Sequence, residues 1–248
     1  MSAAIYTLRC LFGSDIPMDQ GVLAPVNIIL PDDYIINPSE DAAVSTGNTL
    51  TSQRLVDVIL KTFRTSSGSQ GCMNCLGMLG GPRPDGGYDY AYGETVCGGN
   101  VAGPTWDGPQ VPTQVHMTNT RATDIEMSEK RYPLIMREFL VHDGSGGAGL
   151  HRGANGARRV FEAREPLMFS FMPEKRTNAP YGLAGGEPGE RTLNLWVKKN
   201  KEGKFRIVNL GPRSMFICSR VSSSLSIPPV EGVRPVMPEL GRCRKTSL

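Results

Sequence analysis

A histidine, an amide and a guanidinium fall close together in Gln114-Val115-His116-Met117-Thr118-Asn119-Thr120-Arg121. On an extended segment, side chains alternate between faces, so His116, Thr118 and Thr120 share one face and Asn119 and Arg121 the other. A proton-transfer group, a hydrogen-bond donor and a fixed cation this close together suit a polar ligand that carries a carboxylate. The plainer reading is a structural histidine in a polar strand, and the spacing alone leaves both open. Glu94, in Tyr92-Gly93-Glu94-Thr95, is flanked by turn residues and reads either as a carboxylate in a cleft or as a solvated side chain. Arg152 and Arg176 lie beside glycine-rich turns, where a guanidinium either offers a forked donor to an anion or solubilises the surface.

Two short motifs have familiar chemistry that their surroundings do not support. Gly144-Ser145-Gly146-Gly147-Ala148-Gly149 satisfies G-x-G-x-x-G. A dinucleotide fingerprint must open a helix that receives the pyrophosphate, but residues 150–156 hold further helix breakers. The alternatives are a tight turn between strands, or a loop whose backbone N–H groups, at Gly146 and Gly147 among others, bind an anion without a helix. Cys72-Met73-Asn74-Cys75 has no second cysteine pair for a zinc ribbon and follows a Gly/Ser run rather than a strand, so free cysteines in a packed loop are expected.

The elements that must position these residues are only partly periodic. Ile5–Cys10 and Val22–Leu30 are apolar and read as strands. Thr49–Arg64 is the strongest helix: Leu55, Val56, Ile59, Leu60 and Phe63 recur at three- and four-residue spacing, with Asn48 or Thr49 as the expected cap. A shorter helix is expected over Asp124–Tyr132, stopped by Pro133. Residues 68–108 read as a long glycine-rich loop. From Leu134 onward the pattern is β, with strands expected at Leu134–His142, Arg158–Ala163, Pro166–Phe171, Leu193–Lys198 and Phe205–Leu210. Asn155-Gly156 signals a tight hairpin turn, and Asn200–Lys204 a second connection. The fold class expected is α+β, with a β-rich C-terminal half, glycine-rich loops and one clear amphipathic helix near 49–64.

Composition narrows the classes. The 248 residues are 39% hydrophobic and 21% charged, which suits a globular chain rather than a disordered one. The formal charge is +3. That surplus sits in residues 219–248, with five basic against two acidic side chains, while residues 1–218 balance. The body therefore has no basic field to attract nucleic acid, and no apolar run approaches a membrane span. Six sparse cysteines and the lack of a leader pattern at the N-terminus fit a reduced, cytosolic protein. Residues 219–248 lack periodicity and read as a disordered or aberrant tail, leaving 1–218 as the folded portion.

Ordered strings go further than any single motif. They include Ile16-Pro17-Met18-Asp19-Gln20-Gly21, Thr51-Ser52-Gln53-Arg54, Ser69-Gln70-Gly71-Cys72-Met73-Asn74, Glu94-Thr95-Val96 and Gly103-Pro104-Thr105-Trp106. His116-Met117-Thr118-Asn119-Thr120-Arg121, residues 144–156, Glu174-Lys175-Arg176 and Pro180-Tyr181-Gly182-Leu183 with Gly185-Gly186-Glu187-Pro188-Gly189 complete the set. Over roughly residues 5–215 the chain resembles the hydantoinase B/oxoprolinase family, in particular the C-terminal part of its eukaryotic ATP-hydrolysing members. Departures are Cys75 in place of a polar residue, Ala154 in place of a glycine, an apparent insertion at Gly80–Tyr88, and the text beyond Cys218.

The resemblance implies a hydrolase that opens the cyclic amide of 5-oxo-L-proline to L-glutamate in the glutathione (γ-glutamyl) cycle. ATP and Mg2+ are implied for the full-length enzyme, bound mainly outside this chain on a hydantoinase A-like domain or subunit that would lie upstream. No G-x-x-x-x-G-K-[ST] string occurs here, so no ATP hydrolysis is expected from this chain alone. Such chemistry needs oxyanion donors, a cation for the substrate carboxylate and a proton shuttle. His116 is the expected shuttle, Asn119 the donor, Arg121 the clamp and Glu94 a candidate base. Arg152, Arg176, Gly146 and Gly147 are expected to bind substrate, in a cleft that the His116–Arg121 strand shares with the glycine turns at 144–156 and 182–189. Metal ligands are not assigned. A related hydantoinase or ATP-dependent carboxylase, and a non-catalytic fragment that packs against an ATP-binding partner, are the alternatives. No nucleic-acid or membrane partner is expected, and a homodimer is left open.

Overall fold

Apolar strand residues build two main antiparallel sheets whose inner faces share one core, beside a small two-stranded sheet. The computed structural model describes residues 1–110, 115–116, 121–200, 202, 204–218, 224–227 and 229–230. Its helices are α1 (Ser2–Phe12), α2 (Ser52–Thr62) and α3 (Ile125–Arg131). The strands are β1 (Cys75–Pro82), β2 (Tyr88–Glu94), β3 (Leu134–His142), β4 (Gly156–Ala163), β5 (Leu167–Met172), β6 (Arg191–Thr192), β7 (Leu195–Lys199), β8 (Phe205–Asn209), β9 (Ser214–Cys218), β10 (Ser224–Ile227) and β11 (Pro229–Val230). The first sheet runs β2-β1-β5-β9 and the second β3-β4-β10-β7-β8. Leu76, Met78, Phe169 and Phe171 from the first meet Leu134, Phe161 and Ala163 from the second, with Trp196 and Phe216 packed against them. This is the expected α+β, β-rich class.

Several elements differ from the sequence reading for local reasons. Ile5–Cys10 is not a strand but part of α1. Ala3, Ala4, Leu8, Arg9 and Leu11 are good helix formers, and Gly13 closes the helix at φ 61° with its N–H on the Arg9 carbonyl (3.3 Å). Of Val22–Leu30, only Val22 and Leu23 are buried, in a single 3₁₀ turn at Gln20–Leu23; the remainder forms no strand. The helix expected at 49–64 is α2, entered through a wide turn at Gly47–Thr51 without the expected side-chain cap. Asp124 caps α3, accepting from Met127 N–H.

The 68–108 segment is not a structureless loop. It contains the β1–β2 hairpin, which also absorbs the apparent insertion at 80–88. Its alternation was hidden by glycines that the packing requires: a Cβ on Gly77 would stand 2.4 Å from Ser170 Oγ on β5. Asn155-Gly156 is not a two-residue turn either, because β3 and β4 pair only from His142↔Gly156 outward and leave 143–155 as the connection. Backbone at Ser224–Ile227 pairs between β4 and β7, within the stretch read as a disordered tail. Cys10, Cys72, Cys75, Cys97 and Cys218 are all free thiols. Among the described residues, no helix is long and apolar enough to cross a membrane.

Candidate functional site

Four loops at one end of the sheets are joined backbone to backbone around a cleft. Gly68 N–H donates to Tyr181 O (2.8 Å), Ala154 N–H to Asn100 O (3.0 Å), Glu187 N–H to Ala148 O (2.7 Å) and Glu190 N–H to Ser145 O (3.0 Å). The chains lie so close that side chains are excluded at the crossing points. A Cβ on Gly147 would fall 2.3 Å from Glu187 O, one on Gly99 2.1 Å from Ala154 O, and one on Gly182 2.0 Å from Gly186 O. The loop after β3 is therefore glycine-rich mainly to let backbones approach. Two of its amides serve the fold rather than a bound anion: Gly146 N–H donates to Asn155 Oδ1 (3.2 Å) and Ser145 N–H to His142 O (3.3 Å). No helix follows, so the dinucleotide reading fails on geometry.

The enclosed space is about 430 Å³, within the range of small-molecule sites. Its charged lining is Arg64, Lys175, Glu187 and Glu190, with His151 at the wall, and Ser66, Gln70 and Asn74 supply polar groups. Lys175 is buried with a left-handed backbone (φ 59°). Burial lowers its ammonium pKa, and the nearby Arg54 guanidinium adds to the effect. Arg54 itself is ion-paired with Glu174.

Buried polar side chains on α2 tie that helix to the cleft. Asp57 accepts from Ser69 N–H (3.2 Å) and Ser69 Oγ (3.0 Å), Gln53 Nε2 donates to Ser69 Oγ (2.9 Å), and the Tyr181 hydroxyl donates to Asp57 O (2.7 Å). The Tyr181 phenol is pushed up by burial, with the Asp57 charge adding to it. Gln53 and Asp57 share the buried face of α2 with Val56 and Leu60, where an apolar-periodicity argument looks only for hydrophobic side chains.

Among the described residues, those nominated from sequence do not assemble as one site. Gly146 and Gly147 line the cleft. His116 and Arg121 are not among its lining residues, and Asn119 lies outside the described residues. His116 instead meets α1: its Nδ1 is 3.1 Å from the Tyr6 hydroxyl. Its Nε2 is buried without a partner, its backbone is left-handed (φ 58°), and burial lowers its pKa. Arg121 is exposed. Glu94 is buried against Arg159 (3.0 Å) and accepts from Thr123 N–H (3.0 Å). Ion-paired there, it has the surroundings of a structural carboxylate rather than a base poised in a cleft.

Arg152 gives its backbone N–H to Asp107 and does not line the cleft. Arg176 Nη2 donates to Asn209 Oδ1 (2.5 Å), so it faces away while its neighbour Lys175 faces in. Cys72 is buried, its thiol pushed up to about 12 by burial, and it bonds Asn74 Oδ1 (3.2 Å). That is an inert packed thiol, as the sequence suggested.

The charge balance of the cleft, two cations against two carboxylates, does not suit a polyanionic triphosphate. Nor does any group of three His, Cys, Asp or Glu among the described residues have the arrangement of a metal site.

Comparison with known proteins bears on these features together. A family model described as hydantoinase B/oxoprolinase matches residues 1–221. A protein named 5-oxoprolinase 1 from Arabidopsis thaliana is 47% identical over 81% of this chain and 15% of its own length. A 5-oxoprolinase from Dictyostelium discoideum is 44% identical over 94% of this chain and 17% of its own length. The chain thus spans about a sixth of such relatives. Among solved structures, an ATP-dependent caprolactamase from Pseudomonas jessenii superposes with a TM-score of 0.68 at 19% identity, covering 91% of this chain and 41% of that one; this likeness shows the fold.

Proposed function

Because the chain belongs to the hydantoinase B/oxoprolinase family, we propose that it is a segment of an ATP-dependent hydrolase that opens the ring of 5-oxo-L-proline to give L-glutamate. The observation that carries this reading is the identity, 44% over nearly the whole chain, to a protein named 5-oxoprolinase. The cleft supports it by size and polarity, since a five-membered lactam is small and offers one carbonyl, one N–H and one carboxylate to the polar wall. A lactam carbonyl is a poor electrophile, so its hydrolysis calls for an activating co-substrate. ATP is assigned to parts of the longer protein, on a hydantoinase A-like domain or subunit, because the charge balance of this cleft is wrong for it.

Within this chain the proposed task is to bind and orient the lactam. His116 packs against Tyr6 of α1 and does not line the cleft, so it is given no part in the lactam chemistry of this segment. Glu94 is left to the fold.

Residues 5–218 substituted for the corresponding segment of the Dictyostelium enzyme provide the test. The chimera is expected to form glutamate from 5-oxoproline with ATP, and the 248-residue chain alone to hydrolyse no ATP. A folded chimera that opened hydantoin but not 5-oxoproline would shift the assignment to a hydantoinase. One that consumed ATP with neither ring would make this segment a packing element only.

A further inference from the structure

We propose that Lys175 is the anion anchor of the cleft, holding the carboxylate of a small monoanionic ligand with help from the Ser66 hydroxyl. The choice of a cyclic-amide acid as that ligand rests on the function proposed above; the anchor itself rests on the following geometry.

Lys175 is 8% exposed and lines the cleft. Among the described residues no carboxylate lies within ion-pair distance of its Nζ, which stands over the Tyr181 ring, 5.7 Å from the centroid. The nearby acids are already engaged: Glu174 with Arg54, and Asp57 with Ser69. Arg54 and Lys61 on α2 add like charge. A buried ammonium in such surroundings is costly unless an anion completes it. Its left-handed backbone is a second cost that the surrounding structure must impose, with the Lys175 carbonyl fixed by Thr192 N–H (3.1 Å).

Ser66 is the independent second observation. Its Oγ is buried in a residue only 5% exposed, has no partner and belongs to the same lining. Buried hydroxyls are rarely left unpaired, and a carboxylate oxygen would satisfy it. Glu187 and Glu190 on the same wall set the limit on charge: they tolerate one negative charge beside Arg64 and Lys175 but disfavour a phosphate dianion.

The test measures binding to the intact 248-residue chain by ligand-observed NMR, with 5-oxo-L-proline, 2-pyrrolidinone (the same ring without the carboxylate), acetate and inorganic phosphate. Lys175→Met is expected to weaken 5-oxoproline about tenfold or more, the scale of one lost charged hydrogen bond. Pyrrolidinone should be unaffected, and Lys175→Arg should restore part of the loss. Unchanged 5-oxoproline binding in Lys175→Met, equal loss of both rings, or phosphate binding tighter than any carboxylate would overturn the anchor. If neither ring binds but acetate does, and Lys175→Met abolishes it, the anchor stands and the cyclic-amide reading falls. If no probe binds, the anchor falls.

Should Lys175→Met fail to fold, the wild-type pH profile decides. Lys175 is faced by Arg54, Asp57 and Lys61 from α2, by Glu174 beside it, and by Tyr181. As pH rises through the lowered lysine pKa, 5-oxoproline affinity should fall while pyrrolidinone affinity stays level; a flat profile for both overturns the proposal.

Discussion

At the residue scale, the clearest contrast is between two ionisable groups of similar burial and opposite circumstances. Glu94 and Arg159 neutralise each other inside the fold, with the guanidinium also over the rings of Phe139 (4.7 Å) and Phe161 (5.0 Å). Lys175 has no such partner. The sequence pointed to Glu94 because turn residues flank it, yet the feature that decides its role, Arg159, lies 65 residues away on β4. Glu94→Gln is therefore expected to act on stability. It leaves a buried guanidinium unpaired, at a cost of about 3–5 kcal/mol, visible as an earlier midpoint in urea. Glu94→Gln with Arg159→Met should recover much of that loss. A catalytic base would instead give a folded, inactive chimera with an unchanged midpoint, and that result would return Glu94 to the site.

At the scale of elements, the strands were legible where bulky apolar and β-branched residues cluster between turn residues. The bounds of β3 match the expected strand residue for residue, and β5, β7 and β8 shift only slightly. The β1–β2 hairpin was illegible because Gly77, Gly80 and Gly81 remove the side chains that mark alternation, while the reason for those glycines, β5 and β2 alongside, is tertiary. The cleft was legible in half: the glycine turns at 144–156 and 182–189 do line it, while its walls from 64–74 and 96–104 carry no periodic or motif signal. Two substitutions separate the roles such glycines play. Gly147→Ala drives a methyl into the Glu187 carbonyl and is expected to cost roughly 2–3 kcal/mol, with faster amide exchange at 180–190. Gly144→Ala meets open space at φ +87° and should cost only about 1–2 kcal/mol of backbone strain, with exchange at 180–190 unchanged. Equal exchange in both variants would mean that the crossing at Gly147 does not hold the loops together.

At the scale of the whole molecule, buried titratable groups tie stability to pH. His116 and His142 both have pKa values lowered by burial, with Arg158 reinforcing the effect at His142. The unfolded chain therefore takes up protons near the ordinary histidine pKa of about 6.5, before the folded state does. Stability is full above that value and is lost as pH falls through the lowered folded values. Lys175 works in the same direction at the alkaline end. Its ammonium is held at a cost below its lowered pKa, and that cost is relieved as pH rises toward the ordinary lysine value of about 10.4. The melting midpoint of the chain should thus drop between pH 7 and pH 5, and should gain a small contribution from Lys175 on the alkaline side. His116→Asn with His142→Asn should flatten the acid drop, and Lys175→Met should remove the alkaline contribution. Acid curves that coincide for the wild type and the double variant would assign the loss to carboxylates instead, and would leave the two half-buried imidazoles with no part in setting the working pH range of the fold.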